Sequence, residues 1–175
     1  MKSKIVACIA GVCIAIAALL YASPYIALRS IAKAIERKDA DTVAEYVDFP
    51  ALRENIKGYM LLKVQEQMQS PQMQNNPFAG LGQVMAVGLV NQLTESLVSP
   101  AGVMLMLERG KPGKPTDVAA AGAGVDTQTD SSRKDFSVDY NGWSKIFVHT
   151  KNQPGGFIFK REGLMGWKLV AVKMD

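Results

Sequence analysis

Few side chains in this sequence have the types and spacing that enzymatic chemistry needs. Its single histidine, His149, has no Gly-x-Ser-x-Gly nucleophile motif beside it in the sequence, so Ser–His catalysis lacks its other member. A histidine metal site would need further ligands at a spacing such as His-Glu-x-x-His, which does not occur. We therefore predict that His149 is a half-exposed strand residue and that the chain binds no metal.

Carboxylates are the remaining candidates, because two acids that flank a bond can perform glycosidase chemistry. Asp39 or Asp41 is placed to cap a short helix, and the other acids suit solvated faces, so we predict no catalytic residue and no enzyme. The alternative is a small hydrolase or isomerase in which one carboxylate, Asp41, Asp48 or Asp139, points into a pocket. The acids considered are Asp39, Asp41, Glu45, Asp48, Asp135 and Asp139.

Sulfur chemistry is also restricted. Both cysteines, Cys8 and Cys13, fall inside the apolar N-terminal segment, which excludes zinc–cysteine sites, redox CxxC motifs and disulfides from the rest of the chain. The nine methionines lack the close, histidine-rich spacing of copper sites. They predict either adaptable core packing or a pliable apolar groove, and no cofactor.

The stretch EYVDFPALRENI, residues 45–56, brings charge, an aromatic ring and a proline together. Asp48 has the position of a helix N-cap. Its partner would be the N–H of Ala51, because Pro50 has no amide hydrogen. The Asp48-Phe49-Pro50 motif is thus predicted to be a structural helix corner.

An apolar segment, Ile5 to Ala22, follows the basic tip MKSK and contains no charged side chain. As a helix it would span about 27 Å, close to the thickness of the bilayer's hydrocarbon core. Tyr21 and Tyr25 stand where an aromatic belt would lie. A cut after Ala15-Ile16-Ala17 would create an apolar new terminus, so we predict an uncleaved signal-anchor over residues 1–23.

Charge sets the expected orientation and excludes one class of partner. Lys2 and Lys4 favour a cytoplasmic N-terminus, and we expect them to prevail because they lie close to the hydrocarbon. The prediction is a single-pass protein of the bacterial inner membrane with its C-terminal domain in the periplasm. The net charge of +4 forms no basic stripe, so no nucleic acid partner is expected. Four basic residues beyond the span favour the opposite orientation: Arg29, Lys33, Arg37 and Lys38.

The remainder, residues 24–175, has the length of one domain that can bury a core. Ser23-Pro24 is expected to end or kink the first helix. Amphipathic helices follow, one over about 80–98, and a Gly-, Pro- and Ala-rich segment at about 110–134 indicates a flexible loop. Strand patterns come last. The fold class predicted is α+β, with a C-terminal four-stranded antiparallel meander packed on the helices.

Within the meander, Asn141-Gly142 predicts a type I′ turn with a strand beginning directly after it. Alternation of apolar residues along the strands predicts a buried face. Its members are Trp143, Phe147, Phe157, Phe159, Trp167, Leu169, Val170 and Val172.

Two stretches carry a resemblance to a known family: YASPYIALRSIAKAIERKDADTVAEYVDFPALRENIK and the closing GWKLVAVKM. There the chain resembles the bacterial domain of unknown function 2939 family. This resemblance implies an anchored envelope protein without assigned chemistry, and no catalytic residue to transfer. More loosely, AIERKDADTVAEYV is similar to the first helices of NTF2-like and cystatin-like cone folds, which often hold an apolar pocket between helices and a curved sheet. Such a likeness would not by itself define a function.

Three functions are compatible with these features. The first is a non-enzymatic binding or accessory module, anchored through Ile5 to Ala22, with a lipid-like ligand or membrane-protein partner bound between helix 80–98 and the sheet. The second is the pocket enzyme. The third is an assembly or scaffold subunit of an envelope complex that uses the Gln- and Met-rich middle of the chain. The candidate binding surface of the first is Met85, Leu89, Trp143, Phe157 and Trp167.

Overall fold

A computed structural model describes residues 2–69, 79–110, 136–150 and 155–174. The predicted loop at 110–134 lies outside the described residues, apart from Gly110. Most of the Gln-rich stretch that ends at Pro77 lies outside them as well.

The first helix, α1 (Lys2–Glu36), joins the apolar segment to the domain without a break. Pro24 lies inside it, so the prediction that Ser23-Pro24 could end the helix is wrong. Proline removes one backbone hydrogen bond, but side-chain donors from Ser23 and Arg161 replace it. From Ile9 to Leu19 every side chain is exposed, whereas Ala27, Ile31 and Ala34 are buried in the core.

Within the described residues, α1 from Ile9 onward is the one helix that is long and apolar enough to cross a membrane. Only 11% of its most apolar stretch is covered by the rest of the chain. A signal sequence would share these properties. The prediction of an N-terminal transmembrane or signal-anchor helix is confirmed at this level.

Two helices follow, α2 (Ala40–Ala44) and α3 (Phe49–Met68), and both have the predicted caps. Asp39 Oδ1 accepts from the Thr42 N–H at 3.0 Å, and Asp48 Oδ1 accepts from the Ala51 N–H at 3.1 Å. The corner in EYVDFPALRENI is therefore the start of α3, as predicted.

Two more helices follow within the described residues, α4 (Ala79–Leu97) and α5 (Pro100–Arg109). The first agrees with the helix predicted over 80–98. The Ser99 hydroxyl caps α5 by accepting from the Gly102 N–H at 3.1 Å. Gly110 ends α5 in a left-handed conformation with φ of 67°, which glycine adopts without steric cost.

The strands β1 (Phe136–Tyr140), β2 (Lys145–Thr150), β3 (Gly156–Glu162) and β4 (Gly166–Lys173) form one antiparallel sheet. Its order β1-β2-β3-β4 is the predicted meander. The α+β fold class is confirmed. Helices contribute most of the chain's first part, and the sheet contributes its end.

The β1–β2 turn is longer than predicted. β1 ends at Tyr140 and β2 begins at Lys145, so the turn holds residues 141–144 and Trp143 stands in it, not in a strand. Ile146 and Val148 take the core positions instead, and Trp143 is exposed. Phe147, assigned to the buried face, stands on the opposite face of β2, because neighbouring strand residues point to opposite sides. The other residues assigned to the buried face are buried, with the exception of Val170. Val170 is half-buried beside an irregularity in the β3–β4 register.

The corner before α3 also covers one edge of the sheet. The Asp48 N–H donates to the Leu169 carbonyl at 2.9 Å, and the Leu169 N–H donates to the Tyr46 carbonyl at 2.8 Å. Further along the same strand, the Val172 N–H donates to Asn55 Oδ1 at 2.9 Å. These bonds occupy backbone groups that an edge strand would otherwise expose.

We expect Asp48→Ala to lower the free energy of unfolding of the domain by about 1 kcal/mol, because the first turn of α3 loses its cap. Asp48→Asn retains an acceptor oxygen and should keep most of the stability. Urea unfolding of the full-length chain in detergent micelles, followed by near-UV circular dichroism, measures the difference. An equal loss in both variants would contradict the cap and indicate a role for the negative charge.

Candidate functional site

The structure separates the five residues of the predicted binding surface into three places. Met85 and Leu89 are exposed on α4, at 71% and 56% of their full surface. Trp143 is 69% exposed in the β1–β2 turn, whereas Phe157 and Trp167 are each 1% exposed in the core. α4 packs on α3, and α3 packs on β4.

The acids considered for catalysis are also dispersed. Asp48 is occupied as a helix cap, Asp41 is exposed in the first turn of α2, and Asp139 is exposed on β1. Asp139 Oδ2 lies 3.5 Å from His149 Nδ1, and the Phe147 ring stacks on the imidazole with ring centroids 5.2 Å apart. His149 is half-buried on its strand, as the sequence predicts.

The best-defined polar cluster lies where α1 meets the sheet, and we call it the anchor junction: Leu20, Tyr21, Ser23, Tyr140, Arg161 and Trp167. The cluster forms around a backbone carbonyl that Pro24 leaves without its helical donor. Proline has no N–H, so the Leu20 carbonyl one turn earlier lacks its normal helical partner. Two side chains replace that partner: Ser23 Oγ donates at 2.9 Å, and Arg161 Nη2 donates from β3 at 3.1 Å.

A buried hydrogen bond continues this chain of donors. Trp167 Nε1 donates to Ser23 Oγ at 2.9 Å, and both side chains are almost fully buried. Ser23 thus accepts from the indole and donates to the Leu20 carbonyl, which satisfies both of its bonding roles. A buried tryptophan N–H needs such a partner, and α1 supplies it.

Tyr140 makes a second contact with the helix. Its hydroxyl donates to the Tyr21 carbonyl at 2.8 Å, and the two rings stack with centroids 5.2 Å apart and planes 7° from parallel. Tyr25 also lies beside Tyr140, with its ring centroid 6.5 Å from that of Tyr140. Partial burial, and then the neighbouring Tyr25 and Tyr21, raise the pKa of Tyr140, so its hydroxyl keeps the proton that it donates.

Arg161 connects the two hairpins to the helix. Its guanidinium carbon lies 4.8 Å from the ring centroid of Trp143 and 4.8 Å from that of Trp167, both cation–π distances. Nη1 donates to the Leu164 carbonyl in the β3–β4 turn at 3.1 Å. One side chain therefore holds both hairpin turns against the end of the apolar segment.

These contacts position elements and do not constitute a reactive centre. Within the described residues no three histidine, cysteine or acidic side chains stand close enough to hold a metal ion. The anchor junction instead fixes the orientation of the domain relative to α1. A fixed orientation matters where the height and rotation of a membrane-bound domain determine what it can contact.

Ser23, Tyr140 and Arg161 were not predicted as a group, although the sequence carries one signal for Arg161. Arg161 alternates with Phe157 and Phe159 in GFIFKRE, which places an arginine on the core-facing side of β3. Charged side chains in such positions are paired. Its partner was not readable, because Leu20 is 141 residues away in the chain.

Residues 13–106 match the model of the family described as "Protein of unknown function (DUF2939)". The match covers more than half of the chain, so the chain belongs to this family, as the resemblance predicted. It begins within α1 and ends within α5, and the closing GWKLVAVKM lies outside it. No curated protein and no solved structure matches the chain. The likeness to NTF2-like and cystatin-like folds stays a prediction.

We expect Ser23→Ala to destabilise the domain by roughly 1–3 kcal/mol, because it leaves the Trp167 N–H buried without an acceptor. Trp167→Phe removes that donor. The double variant should therefore be less destabilised than the sum of the two single variants, by about 1 kcal/mol. Thermal unfolding of the full-length chain in nanodiscs measures all three.

Ser30→Ala is the matched control. Ser30 Oγ also donates to a backbone carbonyl of α1, that of Ile26 at 3.1 Å, but the bond is exposed. This variant should be near neutral, because water replaces an exposed partner. Strict additivity of Ser23→Ala and Trp167→Phe would contradict the proposed coupling.

Proposed function

We propose that this chain is a membrane-anchored, non-enzymatic accessory module that binds a membrane-protein partner through the exposed face of α4. The observation that carries the proposal is the continuity of α1. One helix extends from a segment suited to the bilayer into the core at Ala27, Ile31 and Ala34. A domain joined in this way is held close to the membrane surface.

The anchor junction supports an uncleaved anchor. The domain's own sheet bonds to the carbonyls of Leu20 and Tyr21 and to the Ser23 hydroxyl. A cut after Ala17 would leave those residues at a helix terminus without the preceding turn, and helix termini fray. We infer that residues before Leu20 stay attached and span the membrane.

The partner surface is the apolar stripe on α4. Val84, Met85 and Leu89 are exposed, while Val90 and Leu97 on the same helix are buried against the domain. Large apolar side chains at adjacent exposed positions are typical of protein contact sites. Methionine suits such a surface because its flexible side chain adapts to a partner's shape.

An apolar ligand inside the domain has less support. Phe157 and Trp167, two residues of the predicted binding surface, are packed into the core. The pocket enzyme also has less support, since Asp48 caps a helix and Asp41 and Asp139 are exposed.

A photoreactive amino acid placed at position 85 or 89 of the full-length chain in cells tests the partner surface. We expect each to form a covalent adduct with the same membrane protein. The same photoreactive amino acid in place of Lys57, which is exposed on α3, should give no such adduct. Met85→Ser with Leu89→Ser should abolish co-purification of that protein without changing the unfolding temperature, because both side chains are exposed.

Equal labelling from positions 57 and 85 would count against the α4 surface. Adducts with lipid alone would indicate that α4 lies against the bilayer, and would also reject the protein-binding function.

Orientation is tested separately. We propose that Lys2 and Lys4 stay in the cytoplasm and that the domain is periplasmic. Alkaline phosphatase fused to the C-terminus should then be active, since that enzyme requires the periplasm to form its disulfides. A fluorescent green fluorescent protein fusion with inactive phosphatase would reverse the assignment.

A further inference from the structure

We propose that the two turns at one end of the sheet form a second membrane contact, in addition to α1. Trp143 of the β1–β2 turn and Leu164 and Met165 of the β3–β4 turn insert into the interfacial layer of the bilayer that α1 spans. We call these three residues the turn patch. The inference rests on the proposed anchor, but it does not depend on which side of the membrane the domain occupies.

The topology places both turns at the same end of the sheet. In an antiparallel meander the first and third connections lie at one end and the second lies at the other. Residues 141–144 form the first connection and residues 163–165 the third. The Leu164 carbonyl and the Trp143 ring both contact Arg161, so the two turns are also close to each other.

The anchor junction places that end at the level where α1 leaves the apolar segment. Arg161 donates to the carbonyl of Leu20, and Tyr140, the residue before the first turn, donates to the carbonyl of Tyr21. Both acceptors lie in the last turn of the predicted span, Ile5 to Ala22. The turn patch is therefore adjacent to the layer where lipid headgroups meet hydrocarbon.

The exposed side chains have the chemistry of that layer. Turns usually carry small polar residues, yet Trp143 is 69%, Leu164 78% and Met165 51% exposed. Tryptophan and tyrosine prefer the membrane interface, where the ring has apolar surroundings and the polar group stays hydrated. Trp143 and Tyr140 thus extend the belt formed by Tyr21 and Tyr25 from the helix onto the sheet.

A row of lysines next to the turns indicates anionic headgroups. Lys145 pairs directly with Lys160, and Lys160 pairs directly with Lys168, across three adjacent strands. Like charges in such positions repel each other. Glu162 Oε2 lies 2.9 Å from Lys168 Nζ and neutralises its charge. Lys145 and Lys160 are exposed to solvent. Phosphate groups of anionic lipids would compensate the remaining pair.

Spin labelling of the full-length chain in vesicles tests the proposal. After Cys8→Ser and Cys13→Ser, a single nitroxide is attached at Leu164→Cys or, as the control, at Lys57→Cys. Lys57 is close to Asn55, whose side chain bonds to Val172, six residues and roughly 20 Å along β4 from the turn. Vesicles are phosphatidylcholine with or without phosphatidylglycerol.

We expect the label at 164 to be accessible to oxygen and protected from a water-soluble nickel chelate, and the label at 57 to show the reverse. Phosphatidylglycerol should increase the protection at 164, and Lys145→Gln with Lys160→Gln should remove that increase. Equal access of the nickel chelate to both positions would overturn the membrane contact. That outcome would leave the turn patch as a surface for a protein partner.

A second measurement avoids the engineered cysteines. Lipids brominated near the glycerol end of the acyl chains should quench the fluorescence of the unaltered chain more than that of Trp143→Phe, in which Trp167 alone emits. Equal fractional quenching of the two proteins would also overturn the contact. Co-flotation of the chain with vesicles at high salt tests the anchor itself, so a failed anchor is distinguishable from a failed turn patch.

Discussion

The arrangement of this protein depends on one backbone carbonyl. Pro24 removes the N–H that would bond to the Leu20 carbonyl. In the anchored state that we propose, this carbonyl lies where the chain passes from hydrocarbon to headgroups. An unsatisfied carbonyl in such surroundings costs several kcal/mol, because water is scarce there. Ser23 satisfies it from within the helix and Arg161 from the sheet. A defect in one helix thus becomes a binding site for another part of the same chain.

The remaining contacts around α1 follow from this constraint. Once Arg161 reaches the helix, its guanidinium lies between two tryptophan rings, and one of them, Trp167, bonds to Ser23. Tyr140 on β1 then lies beside Tyr21. The sheet is oriented by polar bonds at one end, while apolar packing of Phe159, Leu169 and their neighbours fills the core. Hydrophobic burial is non-directional, so the polar bonds supply the specificity of orientation.

Local sequence signals predicted local structure well. The caps at Asp39 and Asp48, the helix over 80–98 and the order of the strands each depend on residues close in sequence. Trp143 was misplaced because Asn-Gly signals the shortest hairpin turn, and only the fit of Ile146 into the core reveals the longer one. The anchor junction could not be predicted, since the bonds that join the sheet to α1 connect residues more than a hundred positions apart and no periodic pattern records such pairs.

The unbroken α1 has a consequence for how the domain meets other molecules. A flexible linker would let a domain sweep a hemisphere of solvent above its anchor, with a radius that grows with linker length. In the anchored state that we propose, a rigid helix removes that freedom and leaves diffusion in the plane together with rotation about the membrane normal. Encounters then become a two-dimensional search at one height, so a partner at that height meets the domain often, and one projecting far above it rarely.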